Sequence, residues 1–264
     1  MKIKLSIITV CYNSEETIED TIKSVISQKD KDIEYIIIDG KSTDKTLNII
    51  NKYKTKIDVI ISEEDKGISD AFNKGIRLAR GEWIGLINSD DIFLPDAFLN
   101  LKSFAEENVD VFYGNGIRSY GHNEYKAYLA CPNYNRLHED MCLVHPATFI
   151  KKDAYEKYGM FNLNYKAVMD RELLLRMLNN GAKFQYNNKF YAVYSMGGES
   201  DKHFFKNVLP EDEKINITDG MDKYKAKIKT MKAALIYIFV KFRNVCGLNK
   251  TNGSIEEVVR KQKW

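Results

Sequence analysis

The chain has 264 residues, 44% of them hydrophobic, with a formal net charge of +3. That length suits one large α/β unit with an appendage better than two equal domains, and so small a net charge makes no case for binding nucleic acid. Four cysteines (Cys11, Cys131, Cys142, Cys246) without CxxC spacing exclude a disulfide framework or a zinc site and are read as reduced thiols.

The elements alternate over the first hundred residues. Ile3 to Val10 is nearly unbroken in apolar character, as in a strand covered on both faces. Asn13 to Glu16 offers a helix start, with Ile18, Ile22, Val25 and Ile26 following at helical spacing. Glu34 to Ile38 is a second buried strand ending in Asp39-Gly40. Ser42-Thr43-Asp44 caps the next helix, and Ile57 to Ile61 is a third strand. Asp65-Lys66-Gly67 leads into a helix with Phe72, Ile76 and Ala79 on one face, and Trp83 to Ile87 is a fourth strand. This rhythm predicts a mostly parallel sheet with helices on both faces. Val109 to Tyr113 is a further strand, after which Gly114-Asn115-Gly116 reads as a turn.

Polar residues collect just after the strands: Thr9 to Asn13, Asp39-Gly40, Asp65 to Gly67 and Asn88-Ser89-Asp90-Asp91. Open α/β sheets bind ligands outside the carboxyl ends of their strands. Asp90 and Asp91 side by side in such a loop suit a hard divalent cation, although Asn, Ser and Asp also favour plain turns. Neither GxxxxGK[ST] nor a complete dinucleotide fingerprint is present.

Ser6 to Asn13 and Ile38 to Thr46 together resemble the amino-terminal signature of the family 2 glycosyltransferases with the GT-A fold. Ser62 to Ile76 is similar to that family's next block, and Gly81 to Ile84 leading into Asn88 to Asp91 resembles its metal-binding loop. Lys41 departs from the pattern, which often has Gly or Ser there. His145 to Phe149, Gly159 to Asn162 and Val168 to Met177 resemble the region around the family's catalytic carboxylate, with Met169 in place of the usual Glu. Gly197-Gly198-Glu199-Ser200 looks like its Gly-Gly-x-Ser loop, or is a flexible connector. The resemblance spans about residues 3–200.

It implies an inverting, metal-dependent transfer of a sugar from a nucleoside-diphosphate sugar to a hydroxyl of a glycan or lipid-linked acceptor, in cell-surface polysaccharide or glycan assembly. Asp170 is the expected general base, with Glu172 as the alternative carboxylate or a solvated helix face. Asp91 is the expected ligand of manganese or magnesium. Donor contacts are expected from Thr9, Asp39, Lys66, Asn73 and Asp90, Lys66 being equally readable as a solvated loop lysine. His145 is left outside the catalytic set. The expected organisation is a GT-A domain over 1–205, with a nucleotide-binding half (1–95) and an acceptor and base half (96–205), and a basic helical extension over 206–264. A nucleotidyltransferase making sugar nucleotides, or a non-catalytic sugar-nucleotide-binding protein, are the alternatives.

Lys223 to Arg243 carries seven basic residues and no acid around the apolar run Ala233 to Val240. Eight apolar residues cannot span a bilayer, but a basic amphipathic helix over 221–246 can lie on its surface or pack on the domain. The start, Met1 to Leu5, lacks the pattern of a signal peptide. The expected setting is cytoplasmic, with the inner face of the plasma membrane as a docking place.

Overall fold

A computed structural model describes residues 4–120, 124–198 and 202–245. Strands β1 (Leu5–Cys11), β2 (Ile33–Asp39), β3 (Val59–Ser62) and β4 (Trp83–Asn88) pair in parallel in the order β3-β2-β1-β4. Helices α1 (Ile18–Ile26), α2 (Thr46–Lys52) and α3 (Ile68–Leu78) make the crossovers. Every residue of β1 and β2 is buried, the signature of strands covered on both faces. The expected parallel, doubly covered sheet is therefore met in this half.

The sheet continues through β8 (Thr148–Lys151), β6 (Val111–Ser119), β9 (Phe184–Ser195) and β5 (Ile92–Phe93), with β7 (Tyr125–Tyr128) paired to β6. Here β4–β8, β6–β8, β6–β7 and β5–β9 are antiparallel and β6–β9 is parallel, so the second half is mixed. Helices α4 (Ala97–Phe104), α5 (Lys152–Tyr158), α6 (Met169–Asn179), α7 (Leu209–Thr218) and α8 (Lys223–Val245) complete the fold.

Gly114-Asn115-Gly116 is not a turn. It lies inside β6, at a register irregularity against β9. A Cβ on Gly114 would sit 2.3 Å from the Tyr191 ring, and one on Gly116 2.6 Å from Val144, so these glycines admit bulky neighbours to the strand. One buried charge fastens the parallel half: the Glu34 carboxylate accepts Ser6 Oγ (2.6 Å) and both Arg80 N and Nε (2.8 and 2.6 Å). Cys11, Cys131 and Cys142 are free thiols, and Cys246 lies outside the described residues.

Candidate active site

Register brings the carboxyl ends of three strands to one edge. Cys11 lies opposite Asp39, and Val10 lies between Ile38 and Asn88. The loops that follow are laced together. Asn13, at φ +48°, accepts Thr43 N with its side chain (2.8 Å), and Ser14 N donates to Thr46 Oγ1 (2.7 Å). The hydroxyls of Ser14 and Ser89 are 2.7 Å apart, tying the β1 loop to the acidic loop after β4. These residues, expected to start a helix, instead build the floor of the site, and α1 begins four residues later at Ile18. Lys41 stands at φ +64°, where Gly is unstrained, which accounts for the small residue the family pattern often has there. Its ammonium pairs with Glu64 at 2.9 Å.

Asp39 is fully buried, and its carboxylate accepts Ser42 N, Ser42 Oγ and Ser62 Oγ. Gly40 beside it has no room for a Cβ, which would meet the Asp65 carboxylate at 2.6 Å. Tyr12 stands 62% exposed against Gly40, an aromatic face open at the edge. Burial, and then the charge of Asp39, push the Cys11 thiol far up, so it stays protonated.

The adjacent aspartates differ in exposure: Asp91 is buried at 3%, while Asp90 is exposed. Asp91 Oδ1 accepts Ser195 N (2.9 Å) from β9, and its Oδ2 accepts the Asn88 amide (3.3 Å). Burial, and then the charge of Asp90, raise the Asp91 carboxyl to about 8. Asn88 Oδ1 is buried with no hydrogen-bond partner among the described residues. Two adjacent carboxylates and an orphaned amide oxygen form an all-oxygen donor set, which fits a hard divalent cation. Among the described residues no group of three or more His, Cys, Asp or Glu side chains is placed to hold a metal. Two carboxylates with a shell left open to phosphate oxygens is the usual arrangement for magnesium-like ions.

Asp170 lies in the first turn of α6, half-buried, its Oδ1 accepting Arg171 N at 2.8 Å. The strap before it is pinned to α3: Asn73 exchanges two 2.9 Å bonds with the backbone of Phe161, and Ser69 Oγ donates to Tyr165 O. Because α3 starts just past β3, the pinning carries Asp170 toward the strands' carboxyl edge. Asp170 and His145 line one small cavity with Leu86, Thr148 and Leu173. Burial lowers the His145 pKa, the Asp170 charge opposing it, and its Nε2 has no partner among the described residues. Glu172 is not a solvated helix face: Arg176 takes both its oxygens, at 2.9 and 3.2 Å, and also binds the carbonyls of Gly159 and Met160.

Two residues expected to contact the donor have their side chains engaged elsewhere. Thr9 is fully buried and its hydroxyl pairs with Tyr35 OH at 3.1 Å, so its side chain faces the core. Asn73 spends its amide on Phe161, as above, and serves the strap. Lys66 is exposed in its loop. Asn88 was part of the polar cluster the sequence shows, but Ser195, which completes the acidic loop, was invisible to sequence patterns because it is 104 residues from its partner. Glu199 and Ser200 of the Gly-Gly-x-Ser segment lie outside the described residues, and Gly197 before them holds φ +91°.

The profile of the family described as "Glycosyl transferase family 2" matches residues 6–175. The chain belongs to that family. This glycosyltransferase is 29% identical over 225 residues to a PGL/p-HBAD biosynthesis glycosyltransferase of Mycobacterium bovis, covering 80% of this chain and 86% of the relative. It is 40% identical over 113 residues to the Escherichia coli UDP-Glc:alpha-D-GlcNAc-diphosphoundecaprenol beta-1,3-glucosyltransferase WfaP, over 42% of this chain and 45% of that one. Its fold is similar to S. aureus TarS 1-349 in complex with UDP (TM-score 0.64, 18% identity, 86% of this chain and 69% of that one). It is also similar to the mannosyltransferase PcManGT from Pyrobaculum calidifontis in complex with GDP-Man and Mn2+ (TM-score 0.66, 16% identity, 94% and 76%). The GT-A fold expected of the glycosyltransferase is thereby met, and the nucleotidyltransferase and non-catalytic alternatives fall away.

Proposed function

We propose that the enzyme moves a sugar from a nucleoside-diphosphate sugar to a hydroxyl of a glycan or lipid-linked acceptor, with inversion, with help from manganese or magnesium, in cell-surface polysaccharide or glycan assembly. The observation that carries this reading is the gathering of Asp39, the Asp90-Asp91 loop and the strap leading to Asp170 at one edge of the sheet. A nucleobase would stack on Tyr12 with Asp39 beneath it. Asp90 and Asp91, with Asn88 Oδ1, would hold the cation. When bound, it would neutralise the charge that grows on the pyrophosphate leaving group. Lys66, exposed in the loop before α3, is placed to counter phosphate charge.

The acceptor hydroxyl is a poor nucleophile near neutral pH. Asp170 takes its proton as the oxygen attacks the anomeric carbon from the face opposite the leaving group, and a single displacement inverts that carbon. Glu172, held by Arg176, is unavailable for this task. A relative named for a diphosphoundecaprenol acceptor and the UDP- and GDP-Man-bound neighbours favour a sugar nucleotide donor and a lipid-linked acceptor.

Helix α8 supports action at a membrane surface. Ala226, Lys229, Thr230, Ala233 and Tyr237 face the body at helical spacing, with Tyr237 stacked on Phe204 at 3.9 Å. Tyr224, Ile228, Met231, Leu235 and Ile238 form the opposite, exposed stripe. Basic residues and no acids accompany it between Lys223 and Arg243, which matches an anionic lipid surface. No helix among the described residues is long and apolar enough to cross a membrane.

The experiment is a screen of UDP- and GDP-sugars for release of nucleoside diphosphate, followed by Asp170→Asn on the donor that is turned over. The variant is nearly isosteric, so donor binding should persist while turnover falls by about 10²–10⁴. Turnover near the wild-type rate in Asp170→Asn would remove Asp170 from the mechanism.

A further inference from the structure

The helix that carries Asp170 is held from outside the family-matched region. Glu211 of α7 accepts Lys166 N (2.9 Å), Ala167 N (2.9 Å) and Val168 N (3.3 Å), the three residues immediately before α6. The N-cap residue of α6, Val168, makes no side-chain capping bond, and Glu211 from another helix accepts its N–H together with those of the two residues before it. Arg171, next to Asp170, is 1% exposed and runs the other way, into the body. Its guanidinium pairs with Asp212, bonds Asn216 Oδ1 (2.9 Å), and reaches the carbonyls of Leu137 (3.0 Å) and His138 (3.2 Å). Asn216 in turn donates to Asp212 (3.0 Å) and accepts from Lys229 of α8 (3.0 Å).

We infer that Glu211, Asp212 and Asn216 are positioning residues for Asp170, and that the carboxyl-terminal extension through the start of α8 is part of the catalytic apparatus. The inference rests on the reading of Asp170 as the base. A buried guanidinium between two fixed acceptor sets cannot swing without leaving unpaired polar groups, so the backbone at 170–171 is held in one place. Glu211 meanwhile occupies the N–H groups ahead of α6. With one oxygen removed, at least one of them is left seeking another acceptor, and the nearest carboxylate along the chain is Asp170. Asp170 already accepts Arg171 N, and a base drawn further back, onto an N–H group at 166–168, is displaced from the acceptor hydroxyl; small displacements of a catalytic group are costly.

The test compares wild type, Glu211→Gln, Asp170→Asn and the double variant on the sugar nucleotide the wild type turns over, with UDP-glucose and GDP-mannose as first probes and water as acceptor. Glu211→Gln is expected to lower kcat by about tenfold with donor KM little changed, and to cause no further loss in the Asp170→Asn background, since it acts through that residue. Asp212→Asn, which leaves the Glu211 contacts intact, should show the same dependence on background and serves if Glu211→Gln folds poorly. Equal losses in both backgrounds, or an unchanged kcat in both single variants, would overturn the proposal. Should Asp170→Asn itself keep the wild-type kcat, the base assignment fails, and the proposal with it.

Discussion

Among the residues at the site, His145 has the most exposed consequence for pH. Its pKa lies below 6.5 in the folded protein because burial disfavours the imidazolium, while the unfolded chain protonates near 6.5. The unfolded state therefore binds the proton first on acidification. The stability contribution is complete above about pH 6.5 and is lost as pH falls below it, toward the folded-state pKa. His145→Gln removes this term. Melting temperatures at pH 7.5 and 5.5 should drop further for wild type than for His145→Gln, and equal drops would show that His145 does not carry the acid sensitivity. The carboxylates of the site illustrate how residue type alone misleads: Asp91 is buried against Ser195, far along the chain, Glu172 is clamped by Arg176 one turn along its own helix, and Asp170 lines the cavity.

Element-scale packing decides how the site is framed. Gly75 lies in α3 where the helix crosses β1, and a Cβ there would sit 2.4 Å from Ile8 Cγ2. Alanine gains about 1 kcal/mol of helix propensity at such a position, but overpacking typically costs about 1–3 kcal/mol, and Ile8 is fully buried with nowhere to move. Gly75→Ala should therefore destabilise the protein in urea unfolding, and a stabilised variant would mean α3 stands further from the sheet. Helix α8 poses the opposite case, one face packed and one bare. Replacing Met231, Leu235 and Ile238 by Glu leaves the packed face untouched. That triple variant should lose co-sedimentation with phosphatidylglycerol vesicles without a lower melting temperature. Each lysine near an anionic surface is worth about 1 kcal/mol, so wild-type binding should also weaken steeply with salt. Vesicle binding unchanged by the three glutamates would sink the membrane role. The extension also touches the body, since Asp212 pairs with Arg171 and Lys229 bonds the Glu139 carbonyl.

At the scale of the whole molecule, the parallel half was legible because its information is local. Each of β1 to β4 reads as an apolar run, each loop at its end as a polar cluster, and parallel register then gathers those clusters without further instruction. The second half was less so. Whether Gly114 and Gly116 make a turn or a crowded strand depends on Tyr191 and Val144, and burial of Asp91 depends on β9 arriving beside it. Such pairings lie dozens of residues apart and leave no periodic trace. The same holds for the clamp on α6, whose residues read in sequence as an ordinary acidic helix start. What the gathered edge is for can be put to one measurement: release of nucleoside diphosphate from a sugar nucleotide by the wild-type enzyme in Mn2+ and in EDTA, beside Asp90→Asn and Asp91→Asn. The account predicts turnover in Mn2+, its loss in EDTA, and its loss in both variants under either condition; full turnover in EDTA, or in both variants, would contradict it.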